Sequence, residues 1–176
     1  MCGLCTLLSA HRNAAEHLEA LEQSLQCMRH RGPDAAGTWH DEDAAFGFNR
    51  LSIIDLEHSD QPLRWGPEDN PERYALTFNG EIYNYVELRE ELSAAGYSFH
   101  TEGDGEPIVV GYHHWGKDVV EHLRGMFGFV IWDTETRTMF AGRDQFGIKP
   151  LYYATTDKGT VFASEMKCIL LSLIHI

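Results

Sequence analysis

The order of strand-forming and helix-forming segments constrains the fold of this chain more than any other feature. Apolar, aromatic and β-branched segments lie near the start of the chain and again near its end, and two helical segments separate them. The last strands follow one another through short turns, which is typical of antiparallel hairpins. This order predicts an α/β (α+β) fold with two mainly antiparallel sheets and helices outside, a four-layer αββα sandwich.

The predicted strands are short and most of them are apolar. They cover residues 3–9, 45–54 as one bent or two short strands, 73–78, 98–101, 126–133, 138–144, 151–155 and 160–164. Residues 58–73 are rich in Asp, Glu, Pro and Gly, and this composition predicts a surface loop.

The spacing of apolar residues predicts five helices. The first begins after Asn13 as its cap and ends at residues 30–33, where Gly and Pro stop it. Its apolar face consists of Leu18, Leu21, Leu25 and Met28. The second covers residues 85–95 and ends at Gly96. Its inward-facing residues are Val86, Leu88 and Leu92. The other helices cover residues 107–115, 118–123 and 165–170.

Composition limits the class of protein. The chain has 176 residues, of which 43% are hydrophobic and 11% aromatic, and this is enough for one domain with a buried core. The net charge of −13 argues against nucleic acid or an anionic membrane as the main partner. No apolar run reaches the roughly 18–20 residues of a membrane span. The four cysteines show no disulfide spacing and no signal peptide precedes them, which predicts a cytoplasmic protein.

Cys2 is the first candidate for chemistry. If Met1 is removed, Cys2 carries a free α-amine and a thiol on one residue. An α-amine has a reference pKa of about 7.7–8.0, so a useful fraction is unprotonated near neutrality and can activate the thiol. One residue then supplies both nucleophile and general base. Gly3 allows close approach of the backbone to a bound molecule.

Other readings of this segment remain open. Small residues are common at the second position because they permit removal of Met1. Cys2 and Cys5 also form a C-x-x-C pair, which occurs in redox and zinc-binding modules. Cys27 and Cys168 offer no second close pair, and the two histidines at 113–114 have no partners at metal-ligand spacing. No metal site is therefore predicted.

Three further positions carry polar residues of interest. Asn79 and Gly80 follow the predicted strand 73–78 and lead into a helix, which could direct the Asn amide and the Gly N–H to one point, as an oxyanion hole requires. A plain turn is the alternative. Arg50 interrupts an apolar segment, either as an exposed residue or as a planar donor for a carboxylate. Asp104 is either a helix cap or a ligand for an ammonium group.

Eight motifs occur in order across almost the whole chain. They are Met1-Cys2-Gly3, HRGPD (30–34), RLSIID (50–55), NGEIYN (79–84), GDGE (103–106), GMFGFVIWD (125–133), RDQFGIKPLYY (143–153) and FASEMK (162–167). With this set the chain resembles the glutaminase domain of class II glutamine amidotransferases, which are N-terminal-nucleophile (Ntn) hydrolases. Within that class it is most similar to B-type, glutamine-hydrolysing asparagine synthetase.

The resemblance implies a role for each matched residue. Cys2 would attack the side-chain amide of glutamine and form a thioester, with its own α-amine as base and then as acid. Asn79 and the N–H of Gly80 would hold the oxyanion.

The same resemblance implies a pocket for the amino-acid end of glutamine. Arg50 would bind the α-carboxylate, Glu81 and Asp104 would hold the α-amine, and the backbone of Ile53 and Ile54 would complete the pocket. The family often has Ser-Asp-x-Glu where this chain has residues 103–106 as Gly-Asp-Gly-Glu, so a hydroxyl near the amine is lost.

The resemblance also implies a larger parent. Full-length relatives continue into an ATP- and Mg²⁺-dependent synthetase domain with a Ser-Gly-Gly-x-Asp-Ser loop, which this sequence lacks. We therefore expect residues 2–170 to form the amidotransferase domain, which itself needs no cofactor, and residues 171–176 to be a non-native tail. The expected partners are glutamine, the synthetase domain and, in the parent, a second subunit.

The ammonia acceptor implied by the resemblance is aspartate. A cell-wall diaminopimelate carboxylate, or the acceptor of a sugar or phosphoribosyl amidotransferase, is the alternative.

Overall fold

A computed structural model describes residues 1–51 and 60–171 of the chain. The strands in this part are β1 (Gly3–Ser9), β2 (Ala35–His40), β3 (Ala44–Arg50), β4 (Leu63–Trp65), β5 (Tyr74–Ile82), β6 (Gly125–Asp133), β7 (Thr138–Arg143), β8 (Tyr152–Thr156) and β9 (Gly159–Ala163). The α-helices are α1 (Leu18–Cys27), α2 (Tyr85–Ala94), α3 (Glu106–Trp115), α4 (Val119–His122) and α5 (Met166–Ile169). None of the helices in these two ranges has the length and apolar character that crossing a membrane requires.

The strands form two sheets. The first sheet has the order β2-β3-β1-β9-β8 and the second has the order β4-β5-β6-β7. Every neighbouring pair in both sheets is antiparallel. The predicted pair of antiparallel sheets is therefore confirmed.

The two sheets pack face to face and helices cover their outer faces. The layer between the sheets contains Leu4, Ala44, Phe46, Phe48, Ala75, Val130 and Trp132. Helices α1 and α5 pack on the outer face of the first sheet, and α2 and α3 pack on the outer face of the second. This is the predicted four-layer αββα sandwich, and it arises because each sheet must bury two apolar faces.

Strand periodicity decides which side chains enter the space between the sheets. In β1, Leu4 and Thr6 face the opposite sheet, and the Thr6 hydroxyl lies 3.2 Å from that of Thr77 in β5. In β3, Phe48 faces the same way. Because side chains alternate along a strand, Cys2, Arg50 and Asn79 are directed into this space as well.

The structure contains two strands that the sequence pattern does not predict. Strand β2 lies at a sheet edge and most of its residues are exposed, so it carries no apolar run, and its backbone pairing with β3 is what forms it. Strand β4 is three residues long and lies within the segment 58–73 predicted as a loop. It pairs with Tyr74, Ala75 and Leu76 of β5.

The predicted strand end at Asn79 was wrong. Strand β5 continues through Asn79 and Gly80 to Ile82, because β6 offers a partner for each of these residues. A Cβ at Gly80 would lie 2.2 Å from the backbone oxygen of Met126, and a Cβ at Gly125 would lie 2.1 Å from that of Glu81. Glycine on both strands permits this close pairing.

Two smaller predictions were also wrong. Residues 98–101 form no strand, because the Glu106 carboxylate accepts the backbone N–H groups of His100 and Thr101, each at 2.8 Å. Val86 is 49% exposed, whereas Leu88 and Leu92 are buried as predicted. Gly96 adopts a φ of +100° after α2, which confirms it as the end of that helix.

Asp144 organises the loop that follows β7. Its carboxylate accepts backbone N–H groups from Phe127 at 3.2 Å, Phe146 at 3.2 Å, Ile148 at 2.9 Å and Lys149 at 3.0 Å. Burial alone would raise the pKa of Asp144, but these hydrogen bonds outweigh it and lower the pKa below the ordinary value.

We expect Asp144→Asn to lower the free energy of unfolding by about 2–3 kcal/mol at pH 7, because an amide cannot accept four N–H groups. The lowered pKa means that the stabilisation is present above the unfolded pKa of about 3.9 and is lost as pH falls through the folded pKa. The difference in the free energy of unfolding between wild type and Asp144→Asn should therefore become smaller as the pH is lowered. Urea unfolding at several pH values measures this. The exposed Asp157→Asn is the control, and an equal loss there would contradict the assignment.

Candidate active site

A cavity of about 280 Å³ opens between the two sheets at the end where β1 begins. Its lining residues are Met1, Cys2, Phe48, Arg50, Leu51, Gln61, Leu63, Leu76, Phe78, Asn79, Gly80, Glu81, Asp104, Gly105, Met126 and Lys149. The volume lies near the lower end of the range of about 300–1,000 Å³ for small-molecule sites. It therefore suits a molecule the size of an amino acid.

The predicted site residues come together in this cavity. Six of the eight line it: Cys2, Arg50, Asn79, Gly80, Glu81 and Asp104. Ile53 and Ile54 lie outside the described residues. Strand alternation explains part of the convergence, since Cys2 immediately before β1, Arg50 of β3 and Asn79 of β5 all face the space between the sheets.

The half-buried Cys2 thiol lies against the backbone that follows β3. Its Sγ accepts the N–H of Leu51 at 3.3 Å and lies 3.6 Å from the Leu51 carbonyl oxygen. The Arg31 Nε donates to the carbonyl oxygen of Cys2 at 3.0 Å. The thiol and the backbone of Cys2 are therefore both held in place.

Arg31 is in turn held by Glu165. Arg31 Nη1 lies 3.4 Å from the Glu165 carboxylate, which also pairs with His30 at 2.9 Å and Lys167 at 2.8 Å. The segments 30–34 and 162–167, which are far apart in sequence, thus meet behind Cys2. The contact with Cys2 gives Arg31 a part in the site.

Asn79 brings an unpaired donor to the cavity. Its Nδ2 is buried and has no hydrogen-bond partner in residues 1–51 and 60–171. A buried amide without a partner costs free energy, so its presence beside a cavity indicates a site for a ligand acceptor.

The backbone N–H of Gly80 also points to the side where the cavity lies. Opposite it on β6, Phe127 directs both its N–H and its C=O to Asp144, at 3.2 and 2.8 Å. In an antiparallel ladder, two directly opposite residues either exchange hydrogen bonds or both direct their N–H and C=O groups away from each other. Because Phe127 directs its groups away from β5, Gly80 and Phe127 form a pair of the second kind. The N–H of Gly80 is therefore directed away from β6, to the side where the cavity lies.

The cavity carries opposite charges. Arg50 is 7% exposed, and its Nη1 lies 2.9 Å from the carboxylate of Asp60. Asp104 is 8% exposed and accepts the N–H of Ile82 at 2.9 Å. Burial raises the pKa of Asp104, the N–H of Ile82 opposes this rise, and the charge of Glu81 adds to it. A cation and an anion in one amino-acid-sized cavity suit a zwitterion.

Sequence reasoning missed three polar or polarisable lining residues, Gln61, Met126 and Lys149. Gln61 lies in the segment predicted as a loop, and Met126 lies in a strand predicted as core. Lys149 is 8% exposed although it is charged, and the loop around Asp144 holds it there. No local pattern distinguishes these residues from their neighbours.

The C-x-x-C alternative does not fit this geometry. Cys5 lies three positions after Cys2 on a strand, so it faces α1 and the outer core, whereas Cys2 faces the opposite sheet. Burial raises the pKa of the Cys5 thiol, which makes it a poor thiolate ligand or nucleophile. Across the described ranges, no group of three or more His, Cys, Asp or Glu side chains has metal-binding geometry. His113 instead pairs with the Tyr74 hydroxyl at 3.0 Å.

The architecture has a clear structural relative. Glutamine phosphoribosylpyrophosphate amidotransferase from B. subtilis, solved with ADP and GMP, superposes with a TM-score of 0.77 over 97% of this chain and 43% of that chain, at 21% sequence identity. This similarity shows that the two chains share a fold.

The profile of the glutamine amidotransferase domain matches residues 1–175, and the chain belongs to this family. The resemblance seen in the sequence motifs is thereby confirmed.

Two relatives indicate the branch of the family. The chain is 56% identical to a putative glutamine-hydrolysing asparagine synthetase of Mycobacterium bovis, over 97% of the chain and 28% of that protein. It is 47% identical to glutamine-hydrolysing asparagine synthetase 1 of Bacillus subtilis, over 98% of the chain and 27% of that protein. The chain thus spans less than a third of the length of these relatives.

Proposed function

We propose that this chain hydrolyses glutamine to glutamate and ammonia through a thioester on Cys2. The observation that carries the proposal is the convergence of a held thiol, the unpaired Nδ2 of Asn79, and the charged groups of Arg50 and Asp104 in one cavity. These are the groups that amide hydrolysis of a zwitterionic substrate requires.

The reaction begins after Met1 is removed, which leaves the amine of Cys2 in the cavity. The amine takes the thiol proton as Sγ attacks the amide carbon of glutamine. Asn79 Nδ2 and the N–H of Gly80 donate to the oxyanion of the tetrahedral intermediate. When the C–N bond breaks, the proton held by the amine passes to the departing nitrogen and ammonia leaves. Water then attacks the thioester with the amine as base, which releases glutamate and restores the thiol.

The charged groups fix the other end of glutamine. Arg50 binds the α-carboxylate of glutamine. This carboxylate competes for Arg50 with the carboxylate of Asp60, whose side chain is 82% exposed. Asp104 and Glu81 hold the α-ammonium group. This arrangement orients the side-chain amide toward Cys2.

For the whole protein, we propose the reaction that the relatives' names describe. Ammonia from this domain would be passed to ATP-dependent synthesis of asparagine from aspartate, with ATP and Mg²⁺ bound by a synthetase domain beyond this chain. The 56% and 47% identities to asparagine synthetases support this branch. We propose the cytoplasm as its location and a homodimer as the form of the parent.

Incubation of the purified chain with glutamine, followed by measurement of glutamate, tests the proposal. Peptide mass analysis after treatment with diazo-oxo-norleucine, a glutamine-like electrophile, reports both the loss of Met1 and the thiol that reacts. We expect turnover and modification of Cys2. Absence of glutamate from a chain with a free Cys2 amine would overturn the proposal.

Asp104→Asn tests the ammonium site. Loss of the charge should raise KM for glutamine by about tenfold or more, since a hydrogen bond to a charged group contributes about 1.5–3 kcal/mol. The wild-type KM should also rise on acidification as Asp104 takes up a proton, and the raised pKa places this rise at a higher pH than for an exposed Asp. KM of Asp104→Asn should not show this rise on acidification. KM measured against pH checks it, with the exposed Asp69→Asn as control. An unchanged KM in Asp104→Asn would remove Asp104 from the site.

A further inference from the structure

Within residues 1–51 and 60–171, the edge of β5 that faces the cavity is completed by side chains instead of a strand. Strand β4 pairs with Tyr74, Ala75 and Leu76 and extends no further along β5. Beyond it, the backbone of Phe78 bonds to the side chain of Gln61, and the N–H of Ile82 bonds to the carboxylate of Asp104. Gly80 lies midway between these two anchored positions.

The side chain of Gln61 takes the place of a neighbouring strand in the hydrogen bonds to the backbone of Phe78. Its Oε1 accepts the N–H of Phe78 at 2.6 Å, and its Nε2 donates to the carbonyl oxygen of Phe78 at 3.1 Å. Two bonds to one residue reproduce the pattern of a hydrogen-bonded pair in an antiparallel ladder. They also fix the orientation of the amide, because only its oxygen can accept and only its nitrogen can donate.

The backbone of Gln61 also lies close to the opposite sheet. A Cβ at Gly37 of β2 would lie 2.2 Å from the backbone oxygen of Gln61, so glycine at that position permits the close approach. Gln61 therefore bridges the edge of the first sheet and the edge of the second, beside the cavity that both sheets enclose.

From these contacts we infer that Gln61 is a positioning residue for the oxyanion donors, and this inference rests on the proposed glutaminase function. Phe78, Gly80 and Ile82 direct their N–H groups to the same side of β5, because alternate residues of a strand do so. Gln61 and Asp104 bind the first and the last. The middle N–H, of Gly80, stays directed into the cavity, next to the amide of Asn79. Loss of the Gln61 side chain removes the hydrogen-bond partner of Phe78 at this edge. Both oxyanion donors, the N–H of Gly80 and the Nδ2 of Asn79, then shift.

Gln61→Ala should lower kcat for glutamine hydrolysis about tenfold and leave KM within twofold. Removal of an oxyanion donor itself costs about 10²–10³ in kcat, and loosening its support costs less. The rate of Cys2 alkylation by iodoacetamide should stay within twofold of wild type, because that displacement forms no oxyanion. A merely structural role would change the rate of Cys2 alkylation as well as kcat.

Gln61→Glu gives a second readout. The ionised carboxylate accepts the N–H of Phe78 but repels its carbonyl oxygen, whereas the protonated form donates to it and restores both bonds. The ratio of the variant's kcat to that of wild type should therefore rise as pH falls from 8 to 5. The exposed Gln23→Ala on α1 is the matched control and should equal wild type at every pH.

Each outcome has a definite meaning. A kcat of Gln61→Ala within twofold of wild type, or a raised KM at unchanged kcat, would overturn the inference while the proposed function stands. A ratio of the kcat of Gln61→Glu to the wild-type kcat that does not change with pH would also overturn the inference. This measurement decides the question if Gln61→Ala unfolds. Absence of glutamine hydrolysis by the wild type would instead refute the proposed function, and the inference with it.

Discussion

Cys2→Ser abolishes glutamine hydrolysis, with an expected loss in kcat of about 10³-fold or more. Serine keeps the shape of the site, but its hydroxyl is a far weaker nucleophile than a thiol and forms an ester less readily. The contacts with Leu51 and Arg31 show that the site holds this side chain and its backbone in one position. A continuous assay of glutamate formation measures the loss.

An insertion of Ala between Met1 and Cys2 separates the two roles of this residue. After removal of Met1 the thiol remains, but the α-amine belongs to the inserted residue. We expect a comparable loss of turnover while iodoacetamide still alkylates Cys2. Cys27→Ser, which changes a thiol outside the cavity, is the control and should keep wild-type activity. Turnover above a few per cent in Cys2→Ser would show that the nucleophile lies elsewhere.

Asn79→Ala should lower kcat by about 10²–10³-fold and change KM by no more than a few-fold. The Nδ2 of Asn79 donates to an oxyanion that forms only in the transition state, so its loss affects the chemical step more than binding. The same change should leave the free energy of unfolding equal or higher, because the buried Nδ2 has no partner within the described residues to lose.

Asn84→Ala provides the opposite pattern within the same motif. The Asn84 amide donates to the carbonyl oxygen of His122 at 3.0 Å and accepts the N–H of Arg124 at 2.9 Å, so its loss should destabilise the fold and leave kcat within about twofold. Urea unfolding together with steady-state kinetics compares the two variants. Equal kcat for Asn79→Ala and wild type would exclude Asn79 from the oxyanion site.

Local pattern was sufficient for the elements whose side chains alternate or repeat. The runs that became β1, β6 and β7 and the apolar face of α1 were predicted correctly, because continuous apolar and β-branched runs favour strands and a period of about 3.6 favours a helix. It failed at β2 and β4, which are short or exposed and form because a neighbouring strand offers hydrogen bonds. It also failed at Asn79, where two glycines of β5 and β6 allow the ladder to continue.

Motifs and periodicity are local properties of the chain, and they were enough to predict the αββα fold class, the family and six of the residues that line the cavity. How these residues are held depends on contacts between distant parts of the chain. Arg31 reaches Cys2 across 29 positions and Glu165 reaches Arg31 across 134, while Gln61 bonds Phe78 across 17. Such contacts depend on how two sheets meet at one end, and no local spacing encodes that meeting.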